Sequence, residues 1–204
     1  MDMPRTEFSP AIFSRPVYPG LISQGAVPAI MLAEGAGAEA LIDLALADAS
    51  VMDRAHVIYI PARGDSATGA RLGQLGAKMY HEAPSYAACL ERYRKALADA
   101  HMGTWLYLAG SEGLIGQAAA EATAAGLPAD AILSEHRGPV TRRMQCVHCK
   151  GITEEVATDP FTCAHCGRSL FVRDHFSRRL GAFQGVAIDA ETPGIVPEPR
   201  SIQR

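Results

Sequence analysis

The stretch CVHCKGITEEVATDPFTCAHCG, residues 146–167, holds four of the five cysteines in a chain of 204 residues. They form two Cys-x-x-Cys pairs, Cys146 with Cys149 and Cys163 with Cys166. A Cys-x-x-Cys loop places two sulfurs on one edge of a tetrahedron, the arrangement zinc prefers for thiolates. Two such loops joined by residues 150–162 close a full shell. The spacing therefore predicts a four-thiolate metal site with Cys146, Cys149, Cys163 and Cys166 as ligands. Glycine at 167 is expected to turn with positive φ and aim backbone amides at sulfur.

Zinc is the expected metal and iron is the alternative, because single-iron sites and iron–sulfur clusters also take four thiolates. The knuckles lack the proline of rubredoxin loops, which favours zinc. His148 and His165 lie inside the loops and could replace a sulfur, but a complete set of thiolates makes them supporting or exposed groups. Cys89 stands alone in a helical stretch and reads as a small core residue. The chain is 48% hydrophobic with a net charge of -3, so there is no global pull toward nucleic acid or anionic membrane. The first twenty residues carry no apolar run and no cleavage-site pattern, and no stretch is long enough to span a bilayer. A cytoplasmic location is expected, where paired cysteines are metal ligands rather than disulfides.

The elements that must position this cluster fall into two modules and two tails. Residues 1–22 are rich in proline and serine and read as an extended arm. Over 23–139, apolar runs alternate with alanine-rich helical stretches. VPAIMLA (27–33), residues 55–60, 78–81, TWLYLAG (104–110) and AILSEH (131–136) read as strands. Residues 37–49, 67–76, 85–100 and 111–126 read as helices, the third capped by Ser85 and the fourth ended by Gly126. The central strands are apolar throughout rather than alternating, which implies a parallel sheet covered on both faces: an α/β, doubly wound, Rossmann-like domain. Residues 140–190 lose helical periodicity and are expected to form a small zinc-ribbon-like module. Residues 191–204, with Pro193, Pro197 and Pro199, read as a proline-rich tail.

The segment WLYLAGSEGLIGQAAAEATAAGLPADAILSEHRG (105–138) resembles the end of the nucleotide-binding half of ferredoxin-reductase-type flavoenzymes. Gly110 and Gly113 fall in the turn that follows a strand in that family, and Gly126, Pro128 and Glu135 fall in step. IMLAEGAGAEAL (30–41) takes the place of its glycine-rich pyrophosphate turn, which makes Gly35 and Gly37 candidate nucleotide contacts. The departures are specific. Ala109 replaces the turn cysteine, Ser111 the proline, and Glu34 would repel phosphate. About twenty residues precede the sheet, too few for a flavin-binding barrel. The expectation is a degenerate domain retained as scaffold and docking surface, its four glycines marking a vestigial NAD(P)H site. Arg63 reads as a solvated loop residue.

RSLFVRDHFSRRLGAFQGV (168–186) interleaves Arg168, Arg173, Arg178 and Arg179 with Phe171, Phe176 and Phe183. Arginine with aromatics can stack on bases, yet Glu154, Glu155, Asp159 and Asp174 dilute the patch. Protein–protein anchoring is the preferred reading, nucleic acid the lesser one, and packing of the phenylalanines over a small core the plainest. With the two knuckles and the degenerate reductase-like domain, this segment is similar to the DmmA-like subunits of bacterial dimethylamine monooxygenase. That resemblance implies a multi-subunit, NAD(P)H-dependent haem monooxygenase that converts dimethylamine and oxygen to methylamine and formaldehyde. It places the haem in one partner subunit, and flavin and a [2Fe–2S] centre in a reductase subunit. In agreement, the chain has no plant-type [2Fe–2S] cysteine run. The expected role is an accessory subunit that docks or orients those partners, with no catalytic residue of its own. The alternatives are an electron-transfer subunit using iron or NAD(P)H, and a nucleic-acid-binding ribbon protein.

Overall fold

The computed structural model describes residues 15–63, 65, 67–188 and 194–202. Residues 1–14 of the arm, and 191–193 and 203–204 of the tail, lie outside the described residues. Five parallel strands form the first sheet: β1 (Ala29–Glu34), β2 (Ala55–Ile60), β3 (Met79–Glu82), β4 (Trp105–Gly110) and β5 (Ile132–His136), in the order β3-β2-β1-β4-β5. The three middle strands are almost wholly buried, as their unbroken apolar sequences require, whereas β3 and β5 at the edges are partly exposed.

Helices α1 (Gly37–Ala47) and α2 (Ala67–Gly73) cover one face, where Leu41, Leu44 and Leu72 meet Met31, Val57 and Tyr107. Helices α3 (Tyr86–Ala98) and α4 (Glu112–Ala124) cover the other, where Tyr93, Leu97, Leu114 and Ala118 meet Leu32, Ile58 and Leu108. The two residue sets alternate along each central strand, so one strand feeds both cores. Ser85 caps α3 by accepting from the Ala88 amide, as expected. Cys89 is fully buried among the α3 core residues. Among the described residues no helix is long and apolar enough to cross a membrane.

The cysteine-bearing segment forms a second five-stranded sheet from β6 (Arg142–Cys146), β7 (Ile152–Val156), β9 (Phe161–Thr162), β10 (Ser169–Ser177) and β11 (Ala182–Ala187), ordered β7-β6-β11-β10-β9. All its pairs are antiparallel except β6 with β11. Its core is small: Met144, Val156, Phe161, Leu170 and Phe183, with Cys146 and Cys163 among them. A two-residue strand in the tail, β12 (Arg200–Ser201), pairs with β8 (Thr158–Asp159), and Ile202 packs on that core.

Two contacts join the two sheets, and the arm covers an edge of the first. Gly116 of α4 and Gly181 after β10 meet backbone to backbone, so closely that a Cβ on Gly181 would stand 2.3 Å from Gly116. Arg142 is 3% exposed; it reaches Asp174 at 2.7 Å and Glu112 of α4 at 3.7 Å, with its guanidinium over the Phe183 ring. The arm crosses the edge of β5, where the Gly20 amide donates to the Ser134 carbonyl and the Leu21 amide to Glu135. Its Tyr18 sits beside Glu112; burial, then the Glu112 charge, pushes the phenol far above its ordinary value. Residues 15–22 are thus laid down as cover for the sheet edge.

Candidate metal centre

The four candidate ligands converge. Their sulfurs all lie within 4.8 Å of one another, with Cys149 to Cys163 at 3.7 Å and Cys146 to Cys166 at 3.9 Å. Thiolates bonded at about 2.3 Å to a central tetrahedral ion stand about 3.8 Å apart. The quartet therefore has the dimensions of one ion's shell.

The two knuckles are built alike because their sequences are alike. In the first, the Lys150 amide donates to the Cys146 carbonyl and the Cys146 amide to the Gly151 carbonyl. In the second, Gly167 donates to Cys163 and Cys163 to the Arg168 carbonyl. Each loop needs a left-handed residue just after its second cysteine. Gly167 supplies it with φ of 69°, as expected, and Lys150 supplies it with φ of 64°. A lysine there carries the Cβ strain that glycine avoids, and its Nζ donates to the Val147 carbonyl at 2.7 Å.

Neither histidine competes for the centre. His165 lies flat on Gly151, and its Nε2 is 2.7 Å from the Ile152 carbonyl oxygen. His148 is exposed. The Ala164 amide donates to Thr153 Oγ1, so the second knuckle is pinned to the strand that follows the first.

Crowding separates the thiols electrically. Burial raises Cys163, but amides of Cys166 and His165 and the neighbouring thiols outweigh it, bringing the group down to about 6. Cys149 gains an amide from Gly151, yet burial and the other three thiols push it up to about 11. A cation at the centre would reverse that repulsion, since a coordinated thiol gives up its proton.

The four glycines of the nucleotide-like turns also come together, at the crevice beyond the carboxyl ends of β1 and β4 where the strand order reverses. Gly35 turns with φ of 50° and Gly110 with φ of 146°, Gly37 abuts the Ala109 carbonyl, and Gly113 opens α4. The crevice opens into a cleft of about 860 Å³ between the sheets, which also carries the exposed Arg63 on its rim. Its phosphate position is taken by a carboxylate. Ser111 accepts from the Leu114 amide as the α4 cap and donates to Glu34 at 2.7 Å. Glu34 thus sets a carboxylate at the α4 N-terminus, where its charge opposes that of a phosphate.

Sequence reasoning missed Arg142 and Glu112, which join the modules. An arginine and a glutamate read as surface residues, and no local pattern in the sequence brings them together. In the arginine–phenylalanine segment, Phe183 is buried and Phe176 packs on it at 4.9 Å, while Arg173 lies over the half-buried Phe171. Packing thus accounts for the phenylalanines but leaves the arginines outside.

Residues 10–132 match the family model for the N-terminal domain of the dimethylamine monooxygenase subunit DmmA-like proteins, and residues 143–186 match the model for their C-terminal domain. The heme-dependent oxidative N-demethylase delta subunit of Ectopseudomonas mendocina (strain ymp) is 37% identical over 149 residues, covering 70% of this chain and 85% of the relative. No solved structure matches. With both halves of the chain matched in order, the protein belongs to the DmmA-like family of dimethylamine monooxygenase subunits.

Proposed function

We propose that this chain is a subunit of an oxidative N-demethylase complex, acting as an accessory subunit that docks and orients the components that carry the redox centres. The relative's description as a delta subunit supports membership of a multi-subunit assembly. The observation that carries the accessory role is the cysteine quartet. Two of its four sulfurs are buried in the small ribbon core, and every ligand is a cysteine, which leaves no open position for substrate.

Cys146, Cys149, Cys163 and Cys166 would hold one zinc ion, with iron as the alternative. Zinc bound there supplies four cross-links between the β6–β7 and β9–β10 hairpins and no redox chemistry. The chain's own residues do the rest: the amides around each knuckle orient the sulfurs, and Arg142 with the Gly116–Gly181 contact holds the ribbon against α4. We read the first sheet as a Rossmann-like domain of reductase type, from its strand order and glycine turns, kept as scaffold. Glu34 at the α4 terminus argues against NAD(P)H in it. In this reading NAD(P)H, flavin, the [2Fe–2S] centre and haem serve partner subunits, and the complex converts dimethylamine to methylamine and formaldehyde.

Reconstitution tests it. Dimethylamine-dependent NAD(P)H oxidation by the other subunits should rise strongly when this chain is added, and the isolated chain should be colourless with one zinc. Full activity without the chain would overturn the accessory role. Visible absorbance that bleaches with dithionite would replace it with electron transfer.

A further inference from the structure

Among the described residues five arginines are tied to carboxylates: Arg71 to Glu39, Arg94 to Glu121, Arg137 to Glu135, Arg142 to Asp174 and Arg143 to Glu154. Arg178 and Arg179, in the turn between β10 and β11, are exposed and form no ion pair among the described residues. Two adjacent bare guanidinium groups in a chain of net charge -3 make a local field of opposite sign to the whole.

The turn that carries them is rigid. Gly181 is locked against the Gly116 backbone, the Leu180 amide donates to the Ser177 carbonyl, and Arg143 Nη1 donates to the Leu180 carbonyl at 2.7 Å. Beside it runs a groove of about 430 Å³ between α3 and α4, floored by Ala87, Leu90, Ala120 and Ala124 and rimmed by Arg143 and Arg179. Tyr86 lines the same groove, and its hydroxyl is buried with no hydrogen-bond partner among the described residues. A buried donor left unmatched is costly unless a ligand supplies the acceptor.

We infer that the β10–β11 turn and the adjoining α3–α4 groove are the docking face for an acidic segment of a partner subunit, which sets apolar side chains on the alanine floor and carboxylates against Arg178 and Arg179. This rests on the reading of the chain as a docking subunit. Fixed charges on a rigid turn favour fast, oriented association. A nucleic acid is disfavoured as the occupant because its continuous row of phosphates would run from the two arginines onto Glu121 in the groove and Glu154 and Glu155 in the adjoining cleft. A short acidic segment, by contrast, can confine its carboxylates to the turn.

The test titrates the full, metal-containing chain against the other subunits of the demethylase complex, at about 50 and about 300 mM salt. The Arg178→Glu/Arg179→Glu variant should bind about tenfold or more weakly at low salt and show a flatter salt dependence. Arg54→Glu/Lys78→Glu makes the same charge change at exposed positions remote from the turn, and should stay within about twofold. Equal losses in both variants, or no loss in the first, overturn the docking face while leaving the docking reading intact. Absence of binding by the unaltered chain overturns both. Tight binding of a labelled single-stranded oligonucleotide that the turn variant abolishes would reassign the face to nucleic acid.

Discussion

The two sheets of this protein are held together by different means. The parallel sheet buries leucine, isoleucine and tyrosine on both faces, and its two cores draw on four helices and every strand. The ribbon has a core cluster of seven buried side chains, two of them cysteines of the four-sulfur cluster. Burial alone stabilises the first. The second has a far smaller core, and in the proposed reading it depends on cross-linking through a bound ion, as small metal-bound modules do. On that reading one half of the chain should tolerate loss of a metal ligand, and the other should not.

The largest expected effect breaks that contrast open. Prolonged chelation should cost the ribbon on the order of 10 kcal/mol of metal-linked folding free energy, and Cys163→Ser a part of it. Limited proteolysis should then cut within residues 140–190 while the far-ultraviolet helical signal of the first sheet persists. Next is Arg142→Met, which leaves Glu112 buried without its guanidinium and should cost about 3 kcal/mol. A single thermal transition should then split into two, because the joint between the sheets is what couples them. Gly181→Ala forces a Cβ into the Gly116 backbone at a φ of 59° and should lower the ribbon's unfolding free energy by about 2 kcal/mol.

Smaller effects sharpen the comparison between the knuckles. Gly167→Ala should cost about 1 kcal/mol, and Lys150→Gly should be neutral or slightly stabilising in chemical denaturation, since both sites are left-handed. The smallest concerns pH. Arg94 holds the Glu121 carboxyl below its ordinary value of 4.5. The folded group has the lower pKa, so its contribution is present above that ordinary value and disappears as pH falls through the lowered one. Glu121→Gln should remove this share of the acid sensitivity in melting curves taken from pH 6 downward.

Much of this was legible in the sequence, for physical reasons that can be named. Strands such as Ala55–Ile60 are buried on both faces, so they cannot alternate and their apolar runs stand out. Ser85 after a proline and glycine at 167 announce backbone geometry that few other residues adopt easily. The convergence of the four cysteines was visible because two knuckles at that spacing have one economical arrangement. The rest depended on approach between distant residues. Lys150 in a left-handed turn contradicts its own propensity, and the knuckle's closure overrides it. Arg142 reads as a surface residue, and only the packing of β6 under α4 buries it. Glu34 was readable as a hindrance to phosphate, but its hydrogen bond to Ser111 required the fold.

The most direct test is to titrate the native protein's thiols with a chromogenic reagent while a metallochromic dye reports released ion. The account predicts that Cys146, Cys149, Cys163 and Cys166 react only as one equivalent of zinc is liberated. Four thiols that react at once, with no ion appearing, would contradict it.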